Sequence, residues 1–103
     1  MTKSEFIAAI TPLAIENMLR SKVPASLTIA QGALESAWGN SSLTARANNL
    51  FGIKGAGPAG SISIETTEYV NGRAIKVNAV FRAYHHWSES ISDHSEILVN
   101  GVS

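Results

Sequence analysis

The chain has 103 residues, enough for one small domain, and its eight basic and eight acidic side chains give a formal net charge of zero. That balance argues against a nucleic-acid-binding protein, which normally shows a clear basic excess. The absence of cysteine excludes a disulfide framework and thiol chemistry, no apolar run approaches the roughly 20 residues of a membrane span, and the amino terminus shows no signal-peptide pattern.

Residues 4–39 are predicted to be helical. An apolar stripe on one face indicates an amphipathic helix, and it consists of Phe6, Ile7, Ile10, Leu13, Ala14, Met18 and Leu19. Pro12, with Thr11 as a candidate cap, is expected to split this segment into two short helices or to kink it. Pro24 suits the first position of the next helix, because its missing N–H costs nothing there.

Glu35 is the most informative residue of that next helix. Apolar residues recur there at helical spacings, and they are Ile29, Ala30, Ala33, Leu34, Ala37 and Trp38. Gly39 is a natural stop, so Glu35 is expected in the final turn, beside the apolar stripe. The negative end of the helix dipole and desolvation both disfavour an ionised carboxylate. A carboxylic acid kept protonated near neutral pH can be a general acid. The alternative is a solvated glutamate on the outer face of a helix.

The remainder of the chain is predicted to contain a loop, a β segment and a final helix. Residues 40–60 are rich in glycine, proline and asparagine, which indicates a loop. Residues 61–84 are predicted to be β and residues 88–99 helical. Ser88 is a candidate cap of that helix, and its inward-facing residues are predicted to be Ile91, Ser95 and Leu98.

The β segment contains a second informative carboxylate. Asn71-Gly72 between two β-rich runs is the strongest short signal for a hairpin turn. A two-residue turn there pairs Val70 with Arg73, Glu68 with Ile75, Thr66 with Val77 and Ile64 with Ala79. Glu68 then lies in the middle of an apolar face, whereas Glu65 lies on the polar one. Glu68 therefore has a function or marks a wrong register, since a one-residue bulge would move it to the solvent side.

Several motifs occur in order along the chain and together resemble one enzyme family. They are Pro24-Ala25-Ser26, Ala30-Gln31, Ala33-Leu34-Glu35-Ser36, Trp38-Gly39, Ser41, Asn48-Asn49-Leu50-Phe51-Gly52-Ile53-Lys54-Gly55, Thr67-Glu68-Tyr69, Phe81-Arg82-Ala83-Tyr84, Ser90-Ile91 and Asp93-His94. From about Phe6 to about Leu98 the chain resembles the bacterial and phage peptidoglycan N-acetylglucosaminidases of glycoside hydrolase family 73, which include flagellar rod-cap hydrolases and Gram-positive autolysins. The resemblance implies an α+β, lysozyme-like fold with a helical lobe, a small β-hairpin lobe and a groove between them.

The resemblance also implies how the chain would act on peptidoglycan glycan strands. Glu35 would be the general acid that protonates the leaving oxygen, and Glu68 would be the second carboxylate, which stabilises the oxocarbenium-like state or activates water. Carboxylates about 5 Å apart suit retention and roughly 6.5–9.5 Å apart suit inversion. An acetamido group on the sugar also permits attack by the substrate itself. Retaining, inverting and substrate-assisted mechanisms therefore all stay open.

Sugar binding needs aromatic platforms and hydrogen-bonding side chains. The candidates for substrate binding are Tyr84, Tyr69, Trp38, Asn49 and Phe51, and Asp93 is a candidate for a supporting role that braces the groove. For Trp38 and Phe51 the alternative is core packing. For Asn49 the alternative is fixation of its loop through side-chain-to-backbone hydrogen bonds.

No cofactor or metal is expected. His85, His86 and His94 match no zinc motif, and the adjacent His85 and His86 would point in opposite directions on a strand. The glycines between positions 52 and 60 lack the preceding strand and the Lys-Ser/Thr signature of a phosphate loop.

Two other functions stay open. A lytic transglycosylase would use Glu35 without Glu68 and leave anhydromuramic ends, and a non-catalytic wall-binding or assembly module would keep only the groove. Family members usually continue for several dozen residues beyond the Asp93-His94 helix. Residues 1–103 are therefore expected to be a single domain without its C-terminal helices, with exposed apolar surface that invites self-association. The expected location is extracellular, at the cell wall, and the export route and a phage origin are open.

Overall fold

The computed structural model describes residues 1–101. In chain order, three helices precede a single β-hairpin and one helix follows it. The elements are α1 (Lys3–Ser21), α2 (Ala25–Glu35), α3 (Ser42–Ala47), β1 (Ser61–Val70), β2 (Arg73–Arg82) and α4 (Trp87–Asn100). This combination of helices with an antiparallel sheet confirms the predicted α+β class. Among the described residues no helix has the length and apolar content to cross a membrane.

α1 is one continuous element with Pro12 inside it. It begins with a capping box, in which the Thr2 hydroxyl accepts from the Glu5 N–H and the Glu5 carboxylate accepts from the Thr2 N–H. The expected split at Pro12 is therefore wrong. Thr11 is not a cap either, because its hydroxyl donates to the carbonyl of Ile7 at 2.6 Å. Buried residues on both sides of the proline hold the helix against the core, which outweighs the lost backbone hydrogen bond.

α2 ends earlier than its apolar pattern predicts. Pro24 is its N-cap rather than its first residue, and its last helical residue is Glu35, so the predicted stop at Gly39 is wrong. Ala37, Trp38 and Gly39 have φ angles of 51°, 57° and 81°. Three consecutive residues in the left-handed region cannot continue a right-handed helix. Glu35 nevertheless lies in the final turn, as predicted.

A short helix, α3, lies in the segment predicted to be a loop. The Ser41 hydroxyl accepts a hydrogen bond of 3.1 Å from the N–H of Thr44, which is ordinary N-cap geometry. The helix ends at Asn48, whose φ angle is 54°. Six residues are too few to display an apolar helical period. The composition of residues 40–60 therefore hides this element.

The hairpin has the predicted turn and register. The observed pairs include Val70–Arg73, Glu68–Ile75, Thr66–Val77 and Ile64–Ala79. Asn71 and Gly72 have φ angles of 52° and 76°, as a type I′ turn requires. The pairing runs unbroken from Ser61 to Val70. Glu68 therefore shares a face with Ile64 and is not displaced by a bulge.

α4 begins one residue earlier than predicted. Its N-cap is His86 in an extended conformation, so Ser88 lies inside the helix and is not the cap. Ile91 and Ser95 are buried, as predicted. Leu98 is 46% exposed, so the prediction that it faces inward is wrong.

The core lies where α1, α2 and α4 meet the loop that follows α3. Its buried apolar residues are Phe6, Ile10, Ala33, Leu50, Phe51 and Ile91. Gly32 lets α2 approach this cluster closely, since a Cβ at Gly32 would lie 2.9 Å from Cδ1 of Ile10 and 3.7 Å from Cε1 of Phe51. The last turn of α2 is thereby anchored in the core on one side.

Part of each predicted apolar stripe lies at the surface. The exposed members are Ile7, Leu19, Ala30, Leu34, Ala37 and Leu98, and the exposed fraction of Leu34 is 82%. Periodicity identifies an apolar face of a helix, but it does not say how much of that face a neighbour covers. The predicted self-association through exposed apolar surface stays a prediction.

Candidate active site

Glu35 is exposed at the end of α2, and hydrogen bonds hold the backbone that follows it. The Ser36 N–H donates to the carbonyl of Gly32 at 3.1 Å. The Trp38 N–H donates to the carbonyl of Ala33 at 2.8 Å, which is the six-residue bond of a Schellman closure. The helix therefore ends abruptly, and Glu35 is its last helical residue rather than part of a frayed turn.

The turn after Glu35 is strained. Ala37 occupies the left-handed position where a helix usually has glycine, and Trp38 repeats that conformation. Each L-residue in this region costs about 1–2 kcal/mol. Packing offsets the cost at Trp38, whose ring lies edge-on to Phe6 with 5.9 Å between centroids and has Lys3 Nζ 4.9 Å above it. Strained backbone is concentrated at functional sites, so the strain in this turn supports Glu35 as a candidate site residue.

Glu68 lies on the part of the hairpin that the helices leave uncovered. Residues 67–76, the half of the hairpin nearest the turn, are exposed throughout. The apolar face expected around Glu68 is thus half-buried only towards the base of the hairpin. Glu65, on the opposite face, forms an exposed ion pair with Lys76 at 3.4 Å.

Tyr84 and Asp93 are joined directly. The Tyr84 phenol donates to Oδ2 of Asp93 at 2.6 Å, and Nη1 of Arg82 donates to the same oxygen at 2.8 Å. Burial, with the hydrogen bond to Asp93 as the next cause, raises the pKa of Tyr84, so the phenol is protonated at neutral pH. Tyr84 is only 2% exposed and offers little surface to a sugar. The cluster connects the chain after β2 to α4, and no sequence pattern singles out Arg82 as its third member.

Asn49 is buried, and its amide is fully used inside the protein. Its Nδ2 donates to the carbonyls of Ile53 and Arg82, both at 2.9 Å, and its Oδ1 accepts from the Ile53 N–H at 3.2 Å. Asn48 acts similarly, with Nδ2 donating to the carbonyls of Tyr84 and His85. These bonds attach the loop after α3 to the end of β2. This is the arrangement expected if Asn49 fixes its loop instead of binding substrate.

Phe51 lies in the core, stacked on His94 with 3.8 Å between ring centroids and 9° between ring planes. Burial lowers the pKa of His94, and the nearby charge of Asp93 opposes that effect. His94 Nδ1 is buried without a hydrogen-bond partner in the described part of the chain. Burial of the His94 ring therefore favours the neutral imidazole. Within residues 1–101 no cluster of three or more His, Cys, Asp or Glu side chains is placed to hold a metal ion.

Two open concavities are lined in part by residues of α4. One, of about 450 Å³, lies between the loop of residues 56–58 and the outer face of the helix, and is lined by Arg82, Glu89, Ser92, Asp93 and Glu96 among others. The other, of about 390 Å³, is lined by Met1, Ala9, Leu13, Asn48, His85, His86, Trp87 and Ser88. Glu35 and Glu68 line neither of them. Both candidate catalytic carboxylates are exposed.

Comparison with known proteins covers nearly all of the chain. Residues 11–102 match the family Glucosaminidase, described as mannosyl-glycoprotein endo-beta-N-acetylglucosaminidase. The exo-glucosaminidase LytG of Bacillus subtilis (strain 168) is 47% identical over 78 residues, which are 76% of this chain and 28% of that protein. The peptidoglycan hydrolase FlgJ of Escherichia coli (strain K12) is 45% identical over 86 residues, which are 77% of this chain and 27% of that protein.

A solved structure has the same fold. The catalytic domain of the autolysin Auto from Listeria monocytogenes matches 98% of this chain and 58% of its own, with a TM-score of 0.91 and 38% identity. This match confirms the lysozyme-like fold predicted from the motifs. The chain spans little more than a quarter of the length of the two curated relatives above.

Proposed function

Because this chain belongs to the glucosaminidase family, glycoside hydrolase family 73, we propose that it hydrolyses the β-1,4 glycosidic bond that follows N-acetylglucosamine in peptidoglycan. The observation that carries the proposal is the position of Glu35. It is the exposed last residue of α2 and is followed at once by a strained, hydrogen-bonded turn. The cell wall is the corresponding place of action.

Glu35 is the proposed general acid. Cleavage requires a proton on the leaving oxygen while positive charge develops at the anomeric carbon. Glu35 is exposed at the end of α2, where its carboxyl group is open to a bound glycan.

Glu68 is the proposed second carboxylate, which faces the developing positive charge or activates water. It is supported by the observed register, in which Glu68 shares the face of the hairpin that is partly buried nearer the base. The exposed half of the hairpin has few buried contacts and is therefore free to adjust over a bound glycan. The separation of the two carboxylates in the bound state would decide between retention and inversion.

The other site candidates divide by exposure. Tyr69 is 77% exposed, the largest exposed fraction among the candidate rings, but it follows Glu68 in β1 and projects from the opposite face of the hairpin. Trp38 is half-buried against Phe6 and supports the turn after Glu35. We assign Asp93 to bracing, because it holds Tyr84 and Arg82 together.

Digestion of purified peptidoglycan followed by mass spectrometry tests this function. The expected products carry reducing N-acetylglucosamine ends. Anhydromuramic ends would instead identify a lytic transglycosylase that uses Glu35 alone, reducing N-acetylmuramic ends would identify a muramidase, and the absence of products would favour a non-catalytic wall-binding module.

Substitution of Glu35 links the reaction to the site. Glu35→Gln should retain the fold by circular dichroism and lose about 10²–10⁴-fold in rate, the usual contribution of a general acid. Glu65→Gln is the matched control, since Glu65 is an exposed glutamate that pairs with Lys76 on the other face of the hairpin. A Glu35→Gln protein with the activity of the control would contradict the assignment.

A further inference from the structure

We infer that Ser36 is a positioning residue for Glu35. Its buried hydroxyl ties the last turn of α2 to the left-handed turn that follows, and this sets the direction in which the Glu35 side chain leaves the helix. The inference rests on the proposed role of Glu35 as general acid. Ser36 is 0% exposed, although its two neighbours in sequence, Glu35 and Ala37, are both exposed.

The polar groups of Ser36 join three segments. Its Oγ donates to the carbonyl of Gly32, one turn earlier in α2, and accepts a hydrogen bond of 2.8 Å from the N–H of Gly39. Its backbone N–H donates to the same Gly32 carbonyl at 3.1 Å, and its carbonyl accepts from the N–H of Ser41, the N-cap of α3, at 2.9 Å. One buried serine thus connects the end of α2, the strained turn and the start of α3.

These bonds hold Glu35 in place at the end of α2, where a helix has the fewest hydrogen bonds of its own. The carbonyls of the last residues of a helix lack intrahelical N–H donors, and these residues tend to fray. Glu35 is such a residue, and the turn beyond it contains Ala37 and Trp38 in a conformation that L-residues avoid. Without the Ser36 hydroxyl, the turn would relax towards a more favourable backbone conformation and Glu35 would move with it. Misplacement of a catalytic group by about 1 Å is enough to cost roughly 10²-fold in rate.

Ser21 provides a matched control at the end of another helix. Its Oγ donates to the carbonyl of Asn17, one turn earlier in α1, at 2.8 Å, and accepts from the N–H of Val23, beyond the helix end, at 3.2 Å. The main-chain partners correspond to those of Ser36, although Ser21 is half-buried and its Oγ also donates to Oδ1 of Asn17 at 3.0 Å. The preceding residue is Arg20 rather than a candidate acid. A short connection leads from Ser21 to the start of α2, so Ser21 lies at the opposite end of α2 from Glu35.

The experiment compares Ser36→Ala with Ser21→Ala on soluble peptidoglycan fragments. Both variants should lose a similar amount of stability in urea denaturation. Ser36→Ala should lower kcat about 100-fold and leave KM within about twofold, whereas Ser21→Ala should leave both unchanged. In a Glu35→Gln background, Ser36→Ala should lower the residual kcat no further, because Ser36 acts through Glu35. An equal kcat for the two alanine variants, or a full additional loss in the Glu35→Gln background, would overturn the inference.

Carbon-13 NMR of the labelled Glu35 carboxyl group separates this inference from the proposed function. Ser36→Ala should move or broaden the Glu35 resonance, and Ser21→Ala should leave it in place. An inactive wild-type chain would refute the proposed function, and the NMR comparison would still decide whether Ser36 positions Glu35. An unchanged Glu35 resonance in Ser36→Ala would refute the positioning role whatever the activity.

Discussion

The phenol of Tyr84 donates a 2.6 Å hydrogen bond to Oδ2 of Asp93, and this bond joins the chain leaving β2 to α4. Arg82 donates to the same carboxylate oxygen, and its Nε donates to the carbonyl of Lys54 at 3.0 Å. The base of the hairpin is thereby fixed to both the preceding loop and the last helix. The exposed arm that carries Glu68 extends from this fixed base, so the cluster determines where the arm starts.

Removal of the Tyr84 hydroxyl should destabilise the protein. Tyr84→Phe keeps the ring but deletes one of two hydrogen bonds to a charged acceptor, which predicts a loss of about 1.5–3 kcal/mol in the free energy of unfolding. Tyr69→Phe is the control, since Tyr69 is 77% exposed and its hydroxyl should contribute less than about 0.5 kcal/mol. Urea denaturation measures both, and equal stabilities would contradict the prediction.

The same bond predicts a loss of stability in alkali. Burial and the hydrogen bond to Asp93 raise the pKa of Tyr84 above its unfolded value of about 10. A raised folded-state pKa means that the contribution is complete below about pH 10 and is lost as the pH rises towards the folded-state pKa. The free energy of unfolding of the wild type should therefore fall more steeply above pH 10 than that of Tyr84→Phe. Parallel curves would show that the phenol is not coupled to folding.

The buried His94 side chain predicts a loss of folding stability in acid. Burial lowers its pKa below the unfolded value of about 6.5, so the unfolded chain binds the proton more readily. Its contribution to stability is present above about pH 6.5 and is lost as the pH falls below that value. His94→Phe preserves a ring against Phe51 and should flatten the stability profile between pH 7 and 5. His86→Gln, at an exposed histidine without a side-chain capping bond, is the control for the loss of an imidazole. A wild-type slope in His94→Phe would assign the pH dependence to other groups.

Ala37 predicts a stabilising substitution beside the site. Ala37 has a φ angle of 51°. Ala37→Gly removes the conformational cost of about 1–2 kcal/mol that this angle imposes on an L-residue, and the greater freedom of glycine in the unfolded chain offsets part of that gain. The net gain should be about 0.5–1 kcal/mol in thermal or urea denaturation. Ala45→Gly, inside α3, should instead destabilise by about 1 kcal/mol. A loss of stability in both variants would mean that the turn does not carry the strain described above.

Glu68 tests the two-carboxylate mechanism. If Glu68 faces the developing charge, Glu68→Gln should lower kcat at least about 100-fold, with Glu65→Gln as the control on the same strand. Proton NMR of the first-formed anomer would then distinguish retention from inversion. Wild-type activity in Glu68→Gln would instead favour a mechanism in which Glu35 is the single essential carboxylate.

Local chemistry alone determined the hairpin. Asn71-Gly72 selects a type I′ turn, and a two-residue turn leaves one register for the strands beside it, so the position of Glu68 could be predicted without tertiary contacts. The apolar periods of α1, α2 and α4 are also local patterns, so these helices could likewise be predicted without tertiary contacts. The family motifs added the lysozyme-like α+β fold and favoured Glu35 as the acid over a solvated surface glutamate, because they record residues in order and need no distances.

Only the tertiary structure decided the ends of the helices and the partners of the buried polar groups. α1 passes through Pro12 because residues on both sides of it are buried, and α2 stops at Glu35 because Trp38 packs on Phe6 and Ser36 binds Gly39. Asn49 meets Arg82 across 33 positions of sequence, and no local pattern encodes such a pair. Side-chain packing and long-range hydrogen bonds outweigh propensities of about 1 kcal/mol per residue, and they exist only once the chain has folded.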